Sequence, residues 1–397
     1  ILPHCNFGTE YVCARLAKKL NIPVLLWGPR DERPEENGVR LRDSQCGLFA
    51  TGKVLRRFRV PFTYMTNCRL TDIEFERGIR DFLAVCNVVK VFSNTRVLQI
   101  APRPFDFWST MCNEGELLEK FNIQLAPIPM PELTYALTRI KKEESNQVRA
   151  VVDHCRENMN IEIKDNELEN VAALKIAMKE LAQKYGCNAI AIQCWNALQS
   201  EIGIMPCAAN SLLNEEGIPV VCETDIHGAI TALLVEAATL DDTRSFFADW
   251  TVRHPDNENG ELLQHCGPWP ISVCGVKPTI GYPLAFDHPG AVEAEAKHGE
   301  MTLCRFDGDN GEYSLLLGNA KGIEGPYTKG TYVWVEVENL KRLEAKLVEG
   351  PYIHHCVGIH KNVVPRLYEA CKYLGIKPDL YDPIEEKVKA YLRGEEI

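Results

Sequence analysis

Four short segments bring together residue types that can hold a divalent cation and move a proton. They are Glu223 in Val-Cys-Glu-Thr-Asp, Asp249 in Phe-Phe-Ala-Asp-Trp, His265 in Leu-Leu-Gln-His-Cys-Gly and His355 in Ile-His-His-Cys-Val-Gly. Two carboxylates with one or two imidazoles make a hard oxygen set with nitrogen ligands. That set suits Mn2+ and, by the same chemistry, Mg2+ or Co2+. Each residue alone also has a plainer reading. Glu223 stands at a strand-to-helix corner, where acidic residues cap helices. Asp249 fits the wet face of a strand, and His265 fits a solvated loop. His354, His355 and His360 fall within seven residues of a chain that has 10 histidines. On a strand, neighbours point to opposite faces, so only one of His354 and His355 enters a given site.

The elements that must position these residues follow from hydrophobic spacing. A helix over 10–20 leads to the apolar strand Ile22 to Trp27, then a polar loop from Gly28 to Asn37. A short helix around 47–58 precedes a strand at 62–65. A second unit begins near Arg96, with strands at 97–101, 123–128, 189–194 and 218–222, and the segment 105–121 mostly helical between the first two. Two long helices, 134–159 and 167–185, follow; the second carries Leu168, Val171, Leu174, Ala177, Met178 and Leu181 as one stripe. A helix near 206–214 completes a β-α-β unit, and another runs from about 229 to 240. Continuous apolar strands alternating with helices predict parallel sheets covered on both faces. From Cys266 the texture changes to short β-rich runs with Gly and Pro, closed by a helix at 362–374. The expected fold is therefore α/β: Rossmann-like parallel-sheet domains followed by a C-terminal antiparallel β-rich domain. The expected boundaries are 1–95, 96–232 and 233–397.

Bulk properties narrow the function. A chain of 397 residues is too long for one ordinary core. A net charge of −11 without a basic block argues against nucleic acid and anionic membrane surfaces. There are 16 cysteines and no C-x-x-C pair, and many lie in apolar runs. They read as buried hydrophobes of a protein in the reducing cytoplasm. No apolar run reaches the roughly 20 residues of a membrane helix. Ile1-Leu2-Pro3 reads as an entry in mid-fold, so residues are expected to precede Ile1.

The order of the motifs carries more than any one of them. The chain resembles the L-fucose isomerase and L-arabinose isomerase superfamily. Phe247-Ala248-Asp249-Trp250 is similar to the Phe-Ala-Asp-Val segment of the fucose branch. Gln264-His265-Cys266-Gly267 and His354-His355-Cys356-Val357 are similar to the Gln-His-Leu-Gly and Ala-His-His-Thr-Val segments of the arabinose branch. His355 also stands about twenty residues before Gly375-Ile376-Lys377-Pro378, which selects it over His354. The resemblance implies aldose–ketose isomerisation of a pentose or 6-deoxyhexose of the L-fucose, D-arabinose or L-arabinose type, through an enediol. It implies Glu223 and Asp249 as acid/base pair and, with His355, as metal ligands, with His265 on the ion or a sugar hydroxyl. Trp195, Asn196 and Gln199 are then substrate-side candidates. Trp27, Arg30 and Trp108 would serve a neighbouring subunit's site in a homo-oligomer (trimer, tetramer or hexamer). A non-catalytic sugar-binding or regulatory protein on the same fold is the alternative. It has no need of a Glu/Asp pair with a His ligand. A metal hydrolase would show an H-x-H or H-E-x-x-H pattern, and none is present.

Overall fold

The computed structural model describes residues 1–283 and 287–395. Three sheets follow one another along the chain. The first is parallel, with strands Leu2–Pro3, Leu25–Trp27 and Thr63–Tyr64 in that order. The second is also parallel, in the spatial order Gln124–Ile128, Arg96–Ile100, Ala189–Ile192, Val220–Val221. Its four central residues Ala189–Ile192 are all buried, as an apolar run in a doubly covered sheet requires. The expected α/β class with a C-terminal antiparallel portion is what the chain adopts.

The third sheet closes on itself. Ser245–Arg253, Gly260–His265, Thr331–Glu336, Glu312–Ile323, Glu300–Asp309 and His355–Ile359 form a ring in which every neighbouring pair is antiparallel. Lys377–Asp382 adds to it in parallel, and Ala291–Glu295, Thr279–Gly281 and Asn160–Ile161 extend it from Thr331–Glu336. Alternation sorts the strand residues between two cores. Phe246, Ala248 and Cys356 face one cluster, and Phe247 and Val357 face the other. That second cluster joins the barrel to the middle sheet through the helix Ile226–Ala238, whose thirteen residues are all buried. Its sequence, apolar but for His227, Thr231 and Glu236, reads as a helix with no wet face. Glu236 is matched by Ser245, which donates to it from N at 3.0 Å and from Oγ at 2.8 Å.

One expectation is refined and two are corrected. Residues 105–121 are mostly helical as expected, in two pieces, Trp108–Thr110 and Glu114–Phe121, with Asn113 capping the later start. The long helix over 134–159 is two, Met130–Glu143 and Ser145–Asn158, with the chain leaving helical geometry at Glu144 (φ −121°). The polar run Lys141 to Gln147 gives no apolar contact to carry one helix through that point. The helix Val364–Leu374 does not end the fold either. Lys377–Asp382 and Glu385–Leu392 follow, and Pro378 is tolerated because its strand lies at the sheet edge. No helix among the described residues is long and apolar enough to cross a membrane.

Candidate metal centre and active site

The carboxyl edge of the middle sheet faces the barrel wall, and four of the singled-out side chains meet there. Asp249 and His355 are direct cross-strand partners, so their side chains leave the barrel wall together, on the face that carries Phe247 and Val357. Gln264 pairs with Asp249 on the other side, which places His265 at the end of the next strand. Glu223 arrives from across the gap, two residues beyond the strand Val220–Val221. It and Thr224 both have left-handed backbone, at φ 59° and 56°. Strain of this kind persists where the surrounding structure over-determines it.

The distances define one small space. His355 Nε2 lies 2.9 Å from Glu223 Oε2 and 3.5 Å from Asp249 Oδ1, and His265 Nε2 lies 4.0 Å from Asp249 Oδ1. Glu223 Oε2, Asp249 Oδ1, His265 Nε2 and His355 Nε2 are all buried and without an aligned hydrogen-bond partner. Glu223, His265 and His355 offer ligand atoms within 4.8 Å of one another, and Asp249, His354 and His355 do the same. Buried polar atoms are normally satisfied. Four orphans converging on one point, two of them carboxylate oxygens, fit a divalent cation.

The two imidazoles are not equivalent. His355 Nδ1 donates to Asp225 Oδ2 at 2.8 Å, which leaves the Nε2 lone pair for a cation. His265 Nδ1 instead accepts from the backbone N–H of Cys266 at 2.9 Å. The neutral ring therefore carries its proton on Nε2 and presents a donor, suited to a sugar oxygen or to Asp249. Of the two roles expected for His265, its hydrogen bonding favours the second.

A buried relay holds His355. Asp225 also accepts from the Gly228 N–H at 2.9 Å and from both terminal nitrogens of Arg305, the longer contact being 3.1 Å. Arg305 Nε donates to Asp307 at 2.9 Å, and His227 Nδ1 meets Asp307 at 2.9 Å. Burial alone would raise the Asp225 carboxyl, but Arg305 and His355 hold it far below the usual carboxylate range. Burial likewise opposes the Glu223 charge, yet His355 beside it keeps that carboxyl below its ordinary value. Burial would lower His355, and the Asp225 and Glu223 carboxylates overcome it, pushing the imidazolium up to about 10. Gly228 is required for this packing: a Cβ there would stand 2.8 Å from Asp225 Oδ2 and 2.7 Å from Phe247.

The remaining candidates scatter. Trp195 is half-buried at the mouth, edge-on to Phe107 at 5.0 Å. Asn196 is exposed, with left-handed backbone at φ 60°. Gln199 is buried and braces its own loop, donating to Cys194 O at 2.7 Å, so its amide nitrogen is not offered to a substrate. His354 is exposed beside His355, with ring centroids 4.2 Å apart. Trp27 was expected to serve a neighbouring subunit's site. It is 7% exposed, packed on Phe75 in the core under the first sheet at the end of its strand, so its ring is not offered to a neighbour. Arg30 is exposed on that sheet's edge, and Trp108 is 66% exposed. Neither shares a contact with the cluster within one chain. Sequence spacing missed Phe107, Asp225 and Arg305. Asp225 was visible only as a polar neighbour of Glu223, and nothing around Arg305 marks it as buried.

Comparison with known proteins gives the same direction. Residues 1–93 match the family model described as the N-terminal domain of fucose/sulfoquinovose isomerase. A sulfoquinovose isomerase of Priestia aryabhattai is 25% identical over 384 residues, spanning 95% of this chain and 84% of that protein. That of Alkalicoccus urumqiensis is 24% identical over 363 residues, 88% of this chain and 79% of its own. One from Clostridium sp. (strain MSTE9) is 23% identical over 398 residues, 96% of this chain and 86% of its own. Together these likenesses support the fucose isomerase-like superfamily, the one its motifs resemble.

Proposed function

We propose that this chain is an aldose–ketose isomerase that uses a divalent cation held by Glu223, Asp249 and His355. The observation that carries the site is the convergence of four buried, unsatisfied polar atoms on one point at the sheet edge. The named relatives are sugar isomerases, which supports the reaction class. When bound, such an ion supplies Lewis acidity to the carbonyl beside the carbon that must lose a proton. The chain's own residues do the rest. One carboxylate of the Glu223/Asp249 pair takes the proton from C2, the other, entering protonated, gives its proton to C1, the hydroxyl proton passes from O2 to O1, and exchange with solvent returns the pair to its starting state. The roles exchange in the reverse direction. Glu223, buried and held ionised, suits the base; Asp249, nearer the mouth, suits exchange with the substrate. His265 Nε2–H steadies a sugar oxygen, and Trp195 with Phe107 forms an aromatic wall.

Manganese is the preferred ion, with magnesium or cobalt as substitutes, and the sugar is a pentose or a 6-deoxyhexose, C6-substituted ones included. The 16 cysteines are free thiols, which suits a reducing cytoplasm. The exposed Phe105 and Trp108, at 80% and 66%, suit a contact in a homo-oligomer. The test is to load the protein with Mn2+, Mg2+ or Co2+, incubate it with aldopentoses and with neutral and C6-substituted hexoses, and follow ketose formation by NMR in D2O. Ketose carrying solvent deuterium, lost with chelator, is expected. No ketose from any sugar with any of the three ions would overturn the proposal.

A further inference from the structure

The loop between Arg96–Ile100 and Glu114–Phe121 supplies no residue to the cation cluster, yet it roofs it. It opens at Ala101 with left-handed backbone, φ 64°. Its Phe107 ring lies 6.1 Å from the His355 ring at an interplanar angle of 24°, nearly parallel. The same ring meets Trp195 edge-on at 5.0 Å and His354 at 5.8 Å. A sugar bound with C1 and C2 at the cluster must extend under this roof.

Charge at the roof is unevenly distributed. The segments that leave the carboxyl ends of Arg96–Ile100, Ala189–Ile192 and Val220–Val221 run over 101–113, 193–206 and 222–225. Across all three there is one Lys or Arg, Arg103. Its Nη1 donates to Pro104 O and Phe105 O, both at 3.0 Å, which ties the guanidinium to the roof loop four residues before Phe107. Nε and Nη2 are left over, and among the described residues no carboxylate pairs with it. The cluster beneath holds Glu223, Asp225 and Asp249, in a chain of net charge −11. An anionic sugar entering that field needs a local counter-charge. Guanidinium offers it in fork geometry matched to the oxygens of a sulfonate or phosphate.

We propose that Arg103 is the specificity-determining residue for the end of the sugar remote from C1, pairing with a sulfonate or phosphate on C6 while Phe107 covers the ring. This rests on the isomerase assignment above and extends it to the substrate's charge. Sulfoquinovose, the sugar in the relatives' names, carries a sulfonate at that carbon.

Three gluco-configured sugars that differ only at C6 test it: sulfoquinovose, glucose 6-phosphate and the neutral 6-deoxyglucose. Turnover is measured with Mn2+-loaded wild type, Arg103→Met and Arg103→Lys. In Arg103→Met the ratio of kcat/KM for an anionic sugar to that for the neutral one should fall roughly 10–100-fold, mainly through KM, the range for a hydrogen bond to a charged group. Arg103→Lys should recover part of it. A fall confined to the sulfonate or to the phosphate supports the proposal and names the group. An unchanged ratio, or equal losses on all three sugars, overturns it. If wild type forms no ketose from any of them, the isomerase assignment is decided separately, by the wider sugar panel above. Calorimetric binding of the same sugars then decides the role of Arg103, which falls if Arg103→Met binds the anionic sugars as tightly as wild type.

Discussion

The sheet that ends in Trp27 and the sheet that leads to Glu223 are built alike. Both are parallel, both have buried apolar strands, and both carry an aromatic residue near the carboxyl edge, where open α/β sheets place ligands. In the first sheet the edge holds a buried Trp27 and an exposed Arg30. In the second, the barrel wall stands across the edge and adds Asp249, His265 and His355 to Glu223. A strand end becomes a site here when a second layer brings complementary groups to it. The buried helix Ile226–Ala238, wedged between the two layers, sets that spacing.

The largest break in this contrast should come from the pair that spans both layers. Asp249→Asn or Glu223→Gln keeps shape and removes proton-transfer capacity, so isomerisation should fall by about 100-fold or more while circular dichroism stays native. Near-normal turnover in either variant would remove that residue from the acid/base pair. Next comes the relay. Asp225→Asn should weaken Mn2+ binding by roughly 10–100-fold, measured by titration calorimetry rather than by activity. His355→Gln should abolish that binding, whereas His265→Gln should leave it intact and slow turnover. Loss of the ion in His265→Gln would make that imidazole a ligand after all.

The two tryptophans separate stability from substrate handling. Trp27→Ala opens a cavity in the core under the first sheet and should cost about 3–5 kcal/mol in denaturant unfolding, with kcat unchanged in the folded fraction. Trp195→Ala should raise KM roughly threefold to tenfold, the scale of one aromatic contact, with little loss of stability. The smallest effect is a pH slope in metal-free protein. His355 is raised from 6.5 to about 10, so its contribution to stability is fully present below pH 6.5 and is lost as pH climbs through about 10. With chelator present, the melting temperature should decline over that interval, and His355→Gln should flatten the decline. The lowered carboxyls Glu223, Asp225 and Asp307 act in the opposite sense, contributing above their unfolded values and failing as pH falls.

Much of this was legible in the residues themselves, for reasons that differ by element. The stripe from Leu168 to Leu181 announced the helix Asp165–Lys184 because one face of it is core. The strand Ala189–Ile192 announced itself by continuous apolarity. The barrel's closure was not legible, since it depends on His355–Ile359 pairing with both Ser245–Arg253 and Glu300–Asp309, distant partners that no local pattern encodes. The buried Arg305 was invisible for the same reason: Asp307 is on its own strand, but the Asp225 that completes its pairing lies eighty residues earlier. Phe107 was hidden by a segment that reads as helical, because it falls one residue before the first helical turn at Trp108–Thr110.

The paired left-handed residues at Glu223 and Thr224 have a consequence for engineering. Each carries a backbone penalty of about 1–2 kcal/mol for a residue other than glycine. Thr224→Gly would release much of the second, less about 0.5–1 kcal/mol for the freer unfolded chain. A library selected only for survival of heat should therefore enrich glycine or asparagine at 224. The same clones should lose catalytic aim, because the carboxylate one residue earlier would swing on a looser hinge. Thermal tolerance and turnover should then trade against each other at this one peptide, before any ligand of the cation has been touched.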